Sequence, residues 1–167
     1  MNNAVQNNAA QQPLFVASDS LINRKPSVKY DGVDDFMEMA DNSSLDYTSS
    51  ISIHTLVRPR IAATNKTILA KWDYQTQGAW VLQTEFATAD ELMFAPCYTI
   101  TDPGNQKSFT LNADMVAQKP SLLTLVYDGN ATQKVKFFKN LNQLSTSVSG
   151  TIPSVLPNCS ATLKLGK

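Results

Sequence analysis

Three groups of side chains in this sequence could do chemistry. Asp31, Asp34 and Asp35 place three carboxylates beside Gly32. Carboxylate oxygens gathered on one turn suit a hard cation such as calcium. The same residues have a plainer use, because Asp side chains accept from nearby backbone N–H groups and fix turns. The turn is the expected role and calcium the alternative; no other cofactor is expected. Trp72, Tyr74 and Trp80 flank a segment carrying Asp73, Gln75 and Gln77. Exposed rings beside planar polar side chains would make a shallow platform for a glycan. Against this, Trp80 is expected to pack inward with Leu82 while Trp72 caps a sheet. His54 is the only histidine, so any Ser-His-Asp triad must use it. It sits mid-strand in opposite phase to Ile53 and Thr55, as a sheet-face residue would.

Other catalytic equipment is sparse. Glu38, Glu85 and Glu91 are the only glutamates, and Glu85 and Glu91 read as solvated strand-end charges. Cys97 and Cys159 lie far apart and have no second histidine to help them hold zinc. They are expected to be free thiols packed as small hydrophobes. With six glycines in all, no phosphate-binding loop appears. The chain is therefore expected not to be an enzyme.

These groups are carried by 167 residues, the length of one domain. Apolar residues make up 43%, enough for a core, whereas charged residues make up only 17%. The surface is thus expected to be rich in Asn, Gln, Ser and Thr. Formal net charge is zero and basic residues form no long run, which argues against nucleic acid as a partner. No apolar run reaches the ~20 residues of a bilayer span, so no membrane insertion is expected. Residues 1–12 are polar and uncharged, unlike a signal peptide.

The positioning elements are strands. Ile51, Ile53, Thr55 and Val57 alternate with Ser52, His54, Leu56 and Arg58. Further strands are expected at Leu14–Val16, Thr67–Trp72, Ala79–Glu85, Leu92–Phe94, Tyr98–Ile100, Ser108–Leu111, Leu122–Tyr127, Val135–Phe137, Val148–Ile152 and Ala161–Leu165. Asp31-Gly32 suggests a hairpin turn between Val28–Tyr30 and Phe36–Met39. Ser18–Pro26 reads as a loop, Asp41–Asp46 as a turn or single helical turn, and Asn112–Lys119 as the best helical candidate. Many short strands with turn signals between them indicate an all-β sandwich or barrel. Residues 1–13 form an extended arm and 14–167 the domain.

Five stretches in order resemble the laminin-G-like branch of the concanavalin A-like sandwiches. They are Val28–Phe36, Ser52–Pro59, Ile68–Lys71 with Trp80–Leu82, Leu125–Gly129 leading into Lys136–Asn140, and Leu163–Gly166. The resemblance implies an all-β, two-sheet antiparallel jelly-roll sandwich. Glycosidases of that superfamily carry a Glu-x-Asp-x-x-Glu strand, which is absent here. Members usually have Trp where Leu56 stands and Gly where Leu141 stands, and they continue past Gly166 into another strand. A sheet edge left open by that difference is expected to be covered by the N-terminal segment or by a neighbour's strand.

Gln6–Pro13 resembles the lead-in to such domains in bacteriophage structural proteins. The resemblance implies a non-catalytic structural or adhesive virion component, a capsid decoration or tail-associated module. Its partners would be other virion proteins or copies of itself, met through Asn2, Asn3, Val5, Gln6 and an outward Phe138. The alternative is an extracellular carbohydrate-binding module that uses Trp72, Tyr74 and Trp80.

Overall fold

The computed structural model describes residues 3–61, 63–73, 77–84, 91–96, 107–112 and 115–166. Among the described residues thirteen strands run in chain order: β1 (Leu14–Asp19), β2 (Lys25–Lys29), β3 (Met37–Met39), β4 (Ser50–Val57), β5 (Thr67–Asp73), β6 (Gln77–Thr84), β7 (Leu92–Pro96), β8 (Lys107–Thr110), β9 (Ser121–Asp128), β10 (Val135–Lys139), β11 (Asn142–Gln143), β12 (Thr146–Ser149) and β13 (Leu163–Leu165). They form a four-stranded sheet, β11-β10-β9-β4, and a seven-stranded sheet, β12-β8-β7-β6-β5-β13-β3, while β1 and β2 pair by themselves. Every pairing between described strands is antiparallel.

The two large sheets pack face to face because their strands alternate. On β9, Leu123, Leu125 and Tyr127 point inward while Leu122, Thr124 and Val126 point out. Ile51 and Ile53 of β4, with Val135 and Phe137 of β10, complete that inner face. Trp80, Leu82, Leu92, Phe94 and Leu163 answer from the seven-stranded sheet. Trp80 stacks on Phe94 at 6.3 Å between centroids, and Phe94 meets Tyr127 across the layers at 5.9 Å. Burying each such side chain stabilises the fold by about 1.5–3 kcal/mol. The opposite phase of the seven-stranded sheet holds a smaller cluster, Ala70, Val81, Met93 and Ala95, with Trp72 and Phe109 packed on it.

Three local expectations fail. The Asp31-Gly32 turn forms, but the strands on its two sides do not pair with each other. β2 pairs with β1, and β3 pairs with β13. Ser18–Pro26 is the tip and return of the β1–β2 hairpin rather than a loop, with its turn made by Asn23 and Arg24 at φ 56° and 59°. The helical candidate fails too. Residues 115–120 contain a turn at 117–118, where Gln118 has φ 64°, and no helix. The strand expected at Tyr98–Ile100 lies outside the described residues. Among the described residues no helix is long and apolar enough to cross a membrane.

The N-terminal arm lies on one sheet edge. Val5 and Glu38 form an antiparallel bridge, with Val5 N–H donating to Glu38 O at 2.8 Å and Glu38 N–H to Val5 O at 2.9 Å. Phe36 N–H also donates to Gln11 O at 3.2 Å. The arm thereby covers β3, one of the two outer strands of the seven-stranded sheet.

Candidate functional site

The aspartate turn is built around one carboxylate. Asp31 Oδ1 accepts from the backbone N–H groups of Val33 (2.8 Å), Asp34 (3.3 Å) and Asp35 (3.3 Å). Asp35 Oδ2 accepts in return from Asp31 N–H at 2.8 Å. Gly32 supplies the left-handed φ of 82° that the turn requires. Lys66 Nζ crosses from another loop to donate to Gly32 O at 3.0 Å. The backbone N–H of Val33, with those of Asp35 and Asp34 adding to it, holds the Asp31 carboxyl below the usual carboxylate range. One oxygen from each of the three aspartates lies within 4.8 Å of the others, so the group could gather round a cation. The hydrogen bonds already in place give the turn a complete structural cause.

Of the three aromatics, Trp72 and Trp80 face opposite sides of one sheet. Trp80 is 1% exposed and faces the inter-sheet core with Leu82, so it offers no ring to a sugar. This is the inward packing with Leu82 expected of it, and it takes Trp80 out of the alternative glycan platform: its phase on β6 is the core phase. Trp72 is half-buried against the opposite face of the same sheet. Tyr74 lies outside the described residues.

Of the expected contact residues, Asn2 lies outside the described set. Asn3 is exposed and Val5 is engaged with β3. Gln6 is largely taken up internally: its Oε1 accepts from Asn8 N–H at 2.8 Å, and its Nε2 donates to Phe36 O at 3.4 Å. Phe138 alternates with the buried Phe137 and stands half-buried on the outer face of the four-stranded sheet. His54 shares that face, with Nδ1 hydrogen-bonded to Thr124 Oγ1 at 3.0 Å.

Two features went unread in the sequence. The first is Lys71. It takes the core-facing phase of β5, flanked in register by Trp80 and Leu163, and its side chain is 1% exposed. Its Nζ pairs with Asp41 Oδ1 at 2.9 Å and with Asp46 Oδ1. Asn158 Nδ2 donates to Asp46 Oδ2 at 3.2 Å. Burial alone would lower the Lys71 pKa, but the two carboxylates prevail and raise it. The Lys71 hydrogen bond in turn holds the Asp46 carboxyl low. Cys159 is a free, half-buried thiol beside this group, with Sγ 3.8 Å from Lys71 O; Cys97 lies outside the described residues. A lysine in the core phase of a strand is the signal that could have exposed the pair.

The second feature is the β1–β2 hairpin. Leu14 is 60% and Phe15 65% exposed, and Leu21 and Val28 are exposed as well. Phe15 and Val28 stand opposite each other and line a groove with Val5, Pro13 and Met37. A two-stranded ribbon has little stability of its own, so apolar side chains left on it are available to a partner.

No protein-family model matches the chain, and no curated protein or solved structure matches it either.

Proposed function

We propose that this chain is a non-catalytic structural or adhesive protein with a concanavalin A-like, laminin-G-like jelly-roll topology. In this reading it is a phage virion component, a capsid decoration or tail-associated module, that works through protein–protein contacts. The observation that carries the contact role is the hairpin: a separate two-stranded ribbon on which Leu14 and Phe15 stay exposed, beside an arm seated on a sheet edge. The arrangement of the ionisable groups agrees with it. Lys71 is locked between two carboxylates, Asp31 is occupied by backbone donors, and His54 faces Thr124 on an open sheet face. The virion assignment rests on the Gln6–Pro13 resemblance alone.

The test uses density-purified particles of the encoding phage. Mass spectrometry should find the chain in them, and a Leu14→Ser/Phe15→Ser variant should fold normally yet be lost from them. Particles devoid of the wild-type chain would sink the virion reading. A glycan array run beside it should be silent; a signal abolished by Trp72→Ala would move the chain to the carbohydrate-binding class.

A further inference from the structure

The outer strands of an antiparallel sheet leave backbone groups unmatched, and folded proteins usually blunt them. Among the described residues the two large sheets end in β12 and β3, and in β11 and β4. β3 has three residues and receives Val5. β11 has two residues and β12 four. β4 is unlike these. It runs eight residues, Ser-Ile-Ser-Ile-His-Thr-Leu-Val, in unbroken register with β9, and it has no Pro, no Lys and no charged side chain.

Its open side can be read from the ladder. Ser49 O accepts from Gly129 N–H at 2.9 Å, which makes Ser49 and Gly129 a hydrogen-bonded pair. Antiparallel alternation then commits Ile51, Ile53, Thr55 and Val57 to β9. The N–H and C=O groups of Ser50, Ser52, His54 and Leu56 turn the other way. None of them has a backbone partner among the described residues.

We propose that β4 of one copy pairs antiparallel with β4 of a second copy, about a two-fold axis through Ile53, joining the two four-stranded sheets into one. This rests on the reading of the chain as a contact protein, and it names the strand and the partner. The strand is suited to itself. Reversed about Ile53, it sets Ile51 against Thr55, Ile53 against Ile53, Ser52 against His54 and Ser50 against Leu56. The inward phase meets the inward phase, and all four open residues find partners. Absence of charge means that no like charges face each other across the seam. It also leaves nothing by which a foreign strand of opposite charge would be selected. At one end of β4, exposed Leu56 and Leu21 line a shallow hollow with Ile22, Pro120, Asn23 and Lys25, so the tip of the β1–β2 hairpin adjoins that end of the seam.

Sedimentation of the full chain across the micromolar range tests this. The wild type should dimerise. Ser52→Pro removes an N–H that points away from β9, so the β9 ladder survives while the dimer dissociation constant rises roughly tenfold or more. Ser52→Lys/His54→Lys sets like charges across the seam and should give a monomer. Ser52→Lys/His54→Glu sets opposite charges in the same register and should restore the dimer. If the proline variant unfolds, the two charge variants decide. A wild-type monomer, or a dimer indifferent to the lysine pair, overturns the proposal. So does failure of the Lys/Glu variant to associate. A β4 dimer missing from particles would remove the virion reading and leave the pairing intact; a monomer found in particles would do the reverse.

Discussion

Lys71 Nζ stands 2.9 Å from Asp41 Oδ1, although Lys71 occupies a core-facing position of a central strand. With Asp46 and Asn158 it joins β5, the loop after β3 and the segment before β13. Removing only the lysine strands two carboxylates beside a core. Lys71→Met should therefore lower the melting temperature by roughly 5–10 °C. Adding Asp46→Asn to that variant should recover part of the loss, because one uncompensated charge goes with it. Differential scanning calorimetry of both variants checks this.

The same pair sets a pH window. The Lys71 hydrogen bond holds Asp46 below its ordinary 3.8, so its contribution is whole above that value and disappears as pH falls through the lowered folded one. Lys71 is raised above its ordinary 10.5 despite burial, so its contribution is whole below that value and disappears as pH rises through the folded one. The melting-temperature gap between wild type and Lys71→Met should be widest between these limits and shrink at both ends.

Leu141 turns the β10–β11 hairpin at φ 71°, next to Asn140 at φ 50°. A leucine there has its Cβ crowded against the backbone, and its side chain is 81% exposed, so it returns little by packing. Leu141→Gly should stabilise the protein by about 1 kcal/mol. Urea denaturation measures it, and a destabilised variant would contradict the account.

If the aspartate turn is structural, its central acceptor matters and added metal does not. Asp31→Ala should lower the melting temperature by a few degrees by depriving three N–H groups of their acceptor. Calcium or a chelator should leave the wild type unmoved; a rise with calcium would assign the three carboxylates to the cation.

The strands were legible where a period of two runs unbroken. β4 and β9 alternate so regularly that their inner faces follow from the sequence. Trp80 could be sent inward on the same phase. The Asp31-Gly32 turn was legible as a turn but not as a connection, because turn chemistry fixes the bend and not the partners: β2 and β3 go to different sheets. Pro26 and the polar run before it hid the return strand of the first hairpin. The Lys71 cluster was hidden by distance, since Asp46 lies 25 positions away in sequence and only tertiary packing brings it near. No periodicity encodes that Leu14 and Phe15 stay uncovered.

The stretch from Ile152 to Ala161 has no regular secondary structure and two prolines, and it resembles a tether. It is nevertheless bolted down. Tyr127 Oη and Lys134 Nζ donate to Pro153 O and Ile152 O at 2.9 Å each, Leu156 N–H donates to Thr48 O at 2.7 Å, and Ile152 and Leu156 are buried. Gly129 lies so close to Ser154 that a methyl group there would strike its carbonyl. A broad-specificity protease such as subtilisin, which needs a segment loose enough to thread its cleft, should pass this coil by and nick the molecule elsewhere.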